Sequence, residues 1–289
     1  MDAPARPPRF SVVVPVYRQW DLVPELLAGL AAQVDAPGHE LVLVDNEPGA
    51  ARPSLAHPGL RLVECATPGA YAARNAGTAA ASGDWLVFTD ADCRPAPGWL
   101  AALGAAAGAA PATLLAGPVR VVTSGSHPGP YAAYDRIRGI PQAHYVRLGY
   151  AATANLAVPR AAFDAVGGFD AGRFSGGDAA FCRAARHKGY GIRLVPGAVV
   201  DHPGRTTWEA IATKARRVKG GQVTGGSQRQ RATWALRTLT PPFRLAIRFL
   251  RSDAPWPERR AAIAVLFRLW GVELAEMMRL LAGGPPERR

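Results

Sequence analysis

The sequence predicts an α/β protein: a mostly parallel sheet flanked by helices, followed by a basic, helical C-terminal extension. Three observations carry this. Short β-branched apolar runs alternate with helical patterns from Phe10 to Val122, as in sheets covered by helices on both faces. Two of those runs end directly on acids, at Asp45 and at Asp90-Ala91-Asp92. The charge is also divided: residues 1–202 carry 17 Lys and Arg against 16 Asp and Glu, while residues 203–289 carry 17 against 6.

The first run, Phe10–Val16 (FSVVVPV), is a buried strand candidate. Leu22, Leu26, Leu27, Leu30 and Ala31 then recur at helical spacing. Glu40–Asp45 and Leu60–Glu64 read as strands, and Gly69–Ala81 as a small-residue helix able to pack closely. Trp85–Thr89 (WLVFT) is a fourth strand, Pro97–Ala109 a helix and Leu114–Val122 one further strand. Beyond the loop at Ser124–Pro130, Ala151–Val158 reads as a strand, and Ala179–Lys188 as a helix closed by Gly189. Ile192–Val200 reads as two short strands around Pro196-Gly197. Past His202, Thr207–Lys219 reads as a helix, Gly220–Gln230 as a linker, and Pro242–Arg251 and Glu258–Ala282 as helices. The expected division is a body over 1–205, split into 9–122 and 123–205, and a basic helical extension over 206–289.

Composition excludes several classes. At 48% hydrophobic and 19% charged, the chain is neither disordered nor fibrous. The formal charge of +12 belongs almost wholly to the extension, which argues against a nucleic-acid partner. Cys65, Cys93 and Cys182 show no CxxC or zinc spacing, so reduced thiols in a cytoplasmic setting are expected. The polar, Pro-rich start has no signal-peptide core, and no run approaches the roughly 18 apolar residues of a membrane span.

Parallel sheets bind ligands beyond the C-terminal ends of their strands. Asp45 and Asp90 stand at such ends. Two carboxylates at i and i+2 after a buried strand can both reach a divalent cation if the backbone turns between them. Hard oxygen ligands suit Mg²⁺ or Mn²⁺. The competing reading is an Asx-type turn carrying two solvated acids.

Five segments in order resemble family 2 glycosyltransferases with the GT-A (Rossmann-like, nucleotide-diphospho-sugar transferase) fold. They are Ser11–Tyr17 (SVVVPVY), Leu43–Asn46 (LVDN), Gly69–Asp92, Asn155–Asp170 and Ser175–Cys182 (SGGDAAFC). The resemblance covers residues 9–205. It implies an inverting transfer of one sugar from a nucleotide-diphosphate sugar, a UDP-sugar favoured, to a carbohydrate or lipid-linked hydroxyl. It implies that Pro15 and Tyr17 line the nucleotide pocket, Asp45 accepts from the base, and Arg74 lies near the base or diphosphate. Asp90 would meet the ribose or the metal's water shell, Asp92 would hold Mn²⁺ or Mg²⁺, His202 would be a further ligand, and Asp178 would be the general base. Each has a plainer competitor: Asp178 as a helix cap, Tyr17 as packing, Arg74 as a partner of Asp90, His202 as a satisfied strand-end residue.

A nucleotidyltransferase of similar fold would need a Gly-rich basic loop after the first strand, where this chain has Tyr17-Arg18-Gln19-Trp20. A catalytically weak scaffold of the same fold fits poorly with intact Asp90, Asp92 and Asp178. Acceptor contacts are expected within 125–150, where His127, Tyr131, Tyr134, His144 and Tyr145 either stack on sugars or pack. The extension pairs Arg244, Arg248 and Arg251 with a stripe of Phe243, Ile247 and Leu250. That pattern points to contact with the inner membrane face, or to docking on the body or a second copy of the chain.

Overall fold

A computed structural model describes residues 10–55, 57–123, 125, 128–173 and 175–287. In chain order the elements are β1 (Phe10–Val16), α1 (Val23–Ala31), β2 (His39–Asp45), β3 (Leu60–Glu64), α2 (Ala70–Ala80), β4 (Trp85–Thr89), β5 (Arg94–Pro95), α3 (Trp99–Ala109), β6 (Thr113–Ala116) and β7 (Val119–Val122). There follow α4 (Pro130–Arg138), α5 (Gln142–Arg147), β8 (Asn155–Pro159), α6 (Arg160–Val166), α7 (Gly177–His187), β9 (Gly191–Leu194) and β10 (Val200–Pro203). The chain closes with α8 (Trp208–Thr224), α9 (Gln228–Leu239), α10 (Phe243–Leu250) and α11 (Trp256–Leu281). The chain divides into two compact units. The first holds 10–120, 140–172 and 177–202; the second holds 121–139, 173–176 and the residues from 203 on.

In the first unit a seven-stranded sheet runs in the order β3-β2-β1-β4-β8-β6-β9. β1 is parallel to β2 and β4, and β2 to β3; β8 runs antiparallel between β4 and β6. β1 is apolar on both faces because both are covered. Phe10, Val12, Val14 and Val16 share a core with Leu26 and Leu30 of α1 and Leu100 and Leu103 of α3. Val13, Val42 and Val44 share the other with Ala73, Phe163, Phe169 and Phe181. α2 approaches the sheet closely at Gly77, where an added Cβ would lie 2.6 Å from Val13 and 2.7 Å from Val44. Gly77→Val should therefore cost about 1–3 kcal/mol of stability by overpacking. A denaturant midpoint equal to wild type would contradict that close fit.

Three expectations need correction. Leu114–Val122 is two strands, β6 in the large sheet and β7 in a three-stranded sheet of order β5-β10-β7. Pro118 cannot donate to a ladder, and Gly117 leaves no room for a side chain: its Cβ would lie 2.0 Å from the Ala198 carbonyl oxygen. Residues 151–154 are not strand. Gln142 takes their backbone groups instead, accepting from the Ala152 N–H at 2.8 Å and donating to the Ala152 and Asn155 carbonyls at 3.1 and 3.0 Å. Gly220–Gln230 is not a linker, since α8 continues through it to Thr224 and α9 begins at Gln228. The glycine at 221 serves close approach: its Cβ would lie 2.8 Å from the Ser175 side chain.

The second unit has its own core of Tyr134, Ile211, Phe249, Val265, Leu266 and Leu269. Lys219 is buried there but satisfied by Thr238 (2.8 Å), Gln222 (3.0 Å) and Glu273 (3.2 Å). Among the described residues no helix is long and apolar enough to cross a membrane.

Candidate active site

The candidate residues of the first unit gather at the C-terminal ends of β1, β2 and β4. The register sets Pro15 beside Val44 and Val16 beside Asp45, so Pro15, Tyr17 and Asp45 share one edge of the sheet. Asp45 is fully buried. Its Oδ1 accepts the Glu47 N–H at 3.0 Å, and its Oδ2 faces Arg52 Nη1 at 3.2 Å. Asn46 anchors the neighbouring loop, donating to the Cys65 and Thr67 carbonyls at 2.8 Å each and accepting the Gly69 N–H at 3.0 Å. That ties the end of β2 to the start of α2. Arg18, with a left-handed backbone (φ 55°), lies over the Tyr17 ring and chelates Glu47 at 2.8–3.0 Å.

After Thr89 the chain turns, with the Cys93 N–H donating to the Asp90 carbonyl at 3.0 Å. Both acids therefore face one place. A ligand atom from each of Asp90, Asp92 and Cys93 lies within 4.8 Å of the others. His202, buried on β10, brings Nε2 to 3.6 Å from Asp92 Oδ2. Arg74 rises from α2, nearly fully buried, and its Nη2 meets Asp90 Oδ1 at 2.5 Å. Its Nε is buried with no hydrogen-bond partner among the described residues. A buried guanidinium with an unused donor is a strong attractor for anionic or carbonyl oxygens.

The donor set fits a hard divalent cation: two carboxylates and an imidazole, held by a turn and a neighbouring strand. Cys93 Sγ lies in the same group, but a soft sulfur suits a hard cation less than the carboxylates do; burial, then the charges of Asp90 and Asp92, push its thiol well up.

Asp178 opens α7 from inside its first turn, not from the cap position. It keeps some accessible surface but is closely ringed by protein, and burial pushes its carboxyl up. The Ala179 N–H, the Arg74 charge and the Thr153 N–H pull the other way, and Asp90 adds to the rise. Its Oδ1 accepts from Ala179 at 2.9 Å. Tyr71 of α2 stands beside it: the phenol accepts the Gly177 N–H at 2.9 Å and lies 3.5 Å from Asp178 Oδ1. Arg74 lies 5.8 Å from the Tyr71 ring centre, so one helix, α2, presents groups to both Asp178 and Asp90.

A conserved-sequence description of one family, Glycosyl transferase family 2, matches residues 11–175, more than half the chain. The chain belongs to glycosyl transferase family 2. This family 2 enzyme is 30% identical over 227 residues to glycosyltransferase AglE of Haloferax volcanii, covering 75% of this chain and 73% of that protein. It is 33% identical over 156 residues to a pre-mycofactocin glycosyltransferase of Mycobacterium tuberculosis, of which it spans only 33%. Among solved structures it resembles the mannosyltransferase PcManGT of Pyrobaculum calidifontis, determined with GDP-Man and Mn²⁺, at a TM-score of 0.53 and 20% identity. That likeness covers 97% of this chain and 77% of the other, and shows the GT-A fold.

Sequence reasoning missed three neighbours of this transferase's site. Tyr71, Arg52 and the Thr153 N–H each meet a residue that was singled out, Asp178 or Asp45. Tyr71 carried a signal: it is the one bulky residue in an otherwise small helix segment, at Gly69–Ala73. Tyr71→Phe should lower stability by about 1–3 kcal/mol, because the buried Gly177 N–H loses its acceptor, and should slow turnover by loosening Asp178. A melting temperature and turnover both equal to wild type would contradict this contact. Of the acceptor candidates, Tyr134 is core and Tyr131 packs on Trp208, while Tyr145 stacks on Tyr150 at 4.8 Å. His144 is exposed, and His127 lies outside the described residues.

Proposed function

We propose that this enzyme transfers a single sugar, with inversion, from a nucleotide-diphosphate sugar to a hydroxyl of a carbohydrate or lipid-linked acceptor. The observation that carries the reading is the pair of contacts that α2 makes: Arg74 pairs with Asp90 at 2.5 Å, and Tyr71 stands 3.5 Å from Asp178, whose carboxyl burial pushes up. A raised carboxyl suits proton acceptance near neutral pH.

In this reading Asp178 accepts the acceptor's hydroxyl proton as its oxygen bonds to the anomeric carbon. The bond from that carbon to the diphosphate breaks on the opposite side, and the nucleoside diphosphate leaves. Holding a weak nucleophile in line with that bond supplies much of the rate. Asp45 accepts from the nucleobase, which shares or displaces Arg52. Pro15 and Tyr17 flank the base, and Arg74 faces the base or diphosphate. Asp92 and Asp90, with His202, would hold Mn²⁺ or Mg²⁺. The cation supplies positive charge against the diphosphate leaving group.

The favoured donor is a UDP-sugar, by family resemblance; the GDP-mannose bound by PcManGT is the natural competitor. A thermal-shift panel of UDP- and GDP-sugars with Mn²⁺ separates them. The largest stabilisation is expected from a UDP-sugar. A larger shift with GDP-mannose would replace the base assignment, and no shift from any donor would sink the donor site.

The same reading places the enzyme at an anionic inner membrane face. On α10, Phe243, Ile247 and Leu250 are exposed, and Arg244, Arg248 and Arg251 are exposed beside them. Basic groups near such a surface contribute about 1 kcal/mol each. Flotation with phosphatidylglycerol vesicles, but not with phosphatidylcholine alone, is expected and should be lost in Ile247→Asp/Leu250→Asp. Equal behaviour with both lipids contradicts it, and a concentration-dependent dimer abolished by the same substitutions would assign the stripe to a second copy.

A further inference from the structure

Beside Asp178 the first unit carries aromatic groups that donor binding does not use. Residues 149–153 run back along α7. Arg186 lies over Gly149 and leaves no room there for a side chain. Arg183 lies over the Tyr150 ring at 5.4 Å, Cys182 Sγ faces the Ala151 carbonyl at 3.9 Å, and the Thr153 N–H reaches the Asp178 carboxyl. Tyr150 therefore stands three residues from the backbone group that meets Asp178, at most about 11 Å of chain. All of these residues belong to one compact unit.

Tyr150 is held as well as placed. Tyr145 of α5 stacks on it at 4.8 Å with 21° between the ring planes, and the Tyr150 N–H donates to the Tyr145 carbonyl at 3.1 Å. Both tyrosines are half-buried, and Arg183 is exposed. The Tyr150 hydroxyl makes no hydrogen bond among the described residues. Burial, then Tyr145 and Asp178, push that phenol up to about 12, so it remains a donor at neutral pH. The plain reading is packing, since Tyr150 rests against the core that holds Phe163 and Phe181. Packing accounts for the ring. It does not account for an open hydroxyl on a clamped ring that feels the charge of Asp178.

A flat ring with a hydroxyl at its edge suits a carbohydrate, whose C–H face lies on the ring while its hydroxyls need fixed polar partners. A plain alkyl alcohol would use only the ring. We propose that Tyr145 and Tyr150, steadied by Arg183, form an acceptor subsite for a sugar residue, so that the hydroxyl presented to Asp178 belongs to a saccharide. The inference rests on the reading of Asp178 as the base. The Tyr150 hydroxyl donates to a sugar oxygen, and the Tyr145 ring carries the sugar's C–H face.

The test uses the full chain with Mn²⁺ and the donor that gives the largest thermal shift. Release of nucleoside diphosphate is measured with octyl glycosides of the common hexoses and hexuronic acids, and with 1-octanol. At least one glycoside should turn over at least tenfold faster than octanol at equal concentration. With that glycoside, Tyr150→Phe should raise KM about threefold to tenfold, the range for one lost neutral hydrogen bond. Its kcat should stay within twofold and its melting temperature unchanged, because the packed ring remains. Tyr145→Leu, which removes the flat face, should raise KM at least fivefold. The donor's thermal shift should be the same in both variants. Octanol turning over as fast as every glycoside, no transfer to any glycoside, or a KM within twofold of wild type in either variant overturns the subsite. A smaller donor shift in Tyr150→Phe moves that residue to the donor site and overturns it equally. Wild-type turnover in Asp178→Asn strikes the base reading instead, and the KM comparison of the tyrosine variants still decides the subsite.

Discussion

Asp178→Asn is expected to reduce kcat by about 10²–10⁴-fold, the range for loss of a positioned general base, while nucleotide-sugar binding survives. The substitution is nearly isosteric. The amide keeps an oxygen that can accept the Ala179 N–H, now 2.9 Å from Oδ1, so the start of α7 should hold. The variant loses the charge and one acceptor oxygen, and with them the ability to take a proton. A second consequence separates it from a folding defect. Burial raises the folded Asp178 pKa, so the unfolded carboxyl ionises first as pH increases. Between the unfolded and folded pKa the native state binds more protons, and stability falls through that window. Above it the variant, which carries no charge there, should melt at or above the wild-type temperature. A large loss of turnover with an unchanged or higher melting temperature supports the base. Turnover within threefold of wild type removes it.

Asp92→Asn is expected to cost about 10²–10³-fold in kcat, comparable to losing one pre-aligned electrostatic stabiliser. Asp92 sits where the turn after β4 meets His202, and Nε2 of that ring is 3.6 Å from Oδ2. An amide there loses the charge that a hard cation needs but keeps the size. Dialysis against EDTA should abolish transfer by wild type, and added Mn²⁺ or Mg²⁺ should restore it, with a right-shifted titration for the variant. Activity indifferent to chelation would remove the metal role from Asp90, Asp92 and His202 together. His202→Gln sharpens this: a weakened metal response marks a ligand, whereas an unchanged response marks a strand-end residue packed against Asp92.

The candidate acids at the ends of β2 and β4 were legible in sequence because their placement is local. β1, β2 and β4 are buried on both faces, so each reads as an unbroken apolar run, and an acid at its end stands out. The helix 69–81 announced its close packing by its small residues, and Gly77 against Val13 and Val44 is the physical reason. The contacts that tune the acids were not local. Tyr71 meets Gly177 and Asp178 from a distant part of the chain, and a phenol among alanines reads equally as packing. Arg52 over Asp45 depends on the path of a loop without periodic pattern. His202 reached the site list through the family resemblance, since no spacing rule links it to Asp92.

The extension was harder for a related reason. Gly220-Gly221 normally signals a break, yet here it lies inside α8, where the close approach of Ser175 excludes a side chain at 221. The grouping of 121–139 and 173–176 with residues after 203 follows from contacts such as Asp135 with Arg205, which composition cannot show.

The central claim is that Asp178 takes the acceptor's proton at a carboxyl whose pKa burial has raised. The pH dependence of kcat/KM tests it most directly, measured for wild type and Asp178→Asn with saturating metal. The account predicts an acid limb in the wild type, with rate falling as pH drops through an apparent pKa above the usual carboxylate value of about 4. It predicts that this limb is absent from the residual activity of Asp178→Asn. The same limb in both enzymes would contradict it.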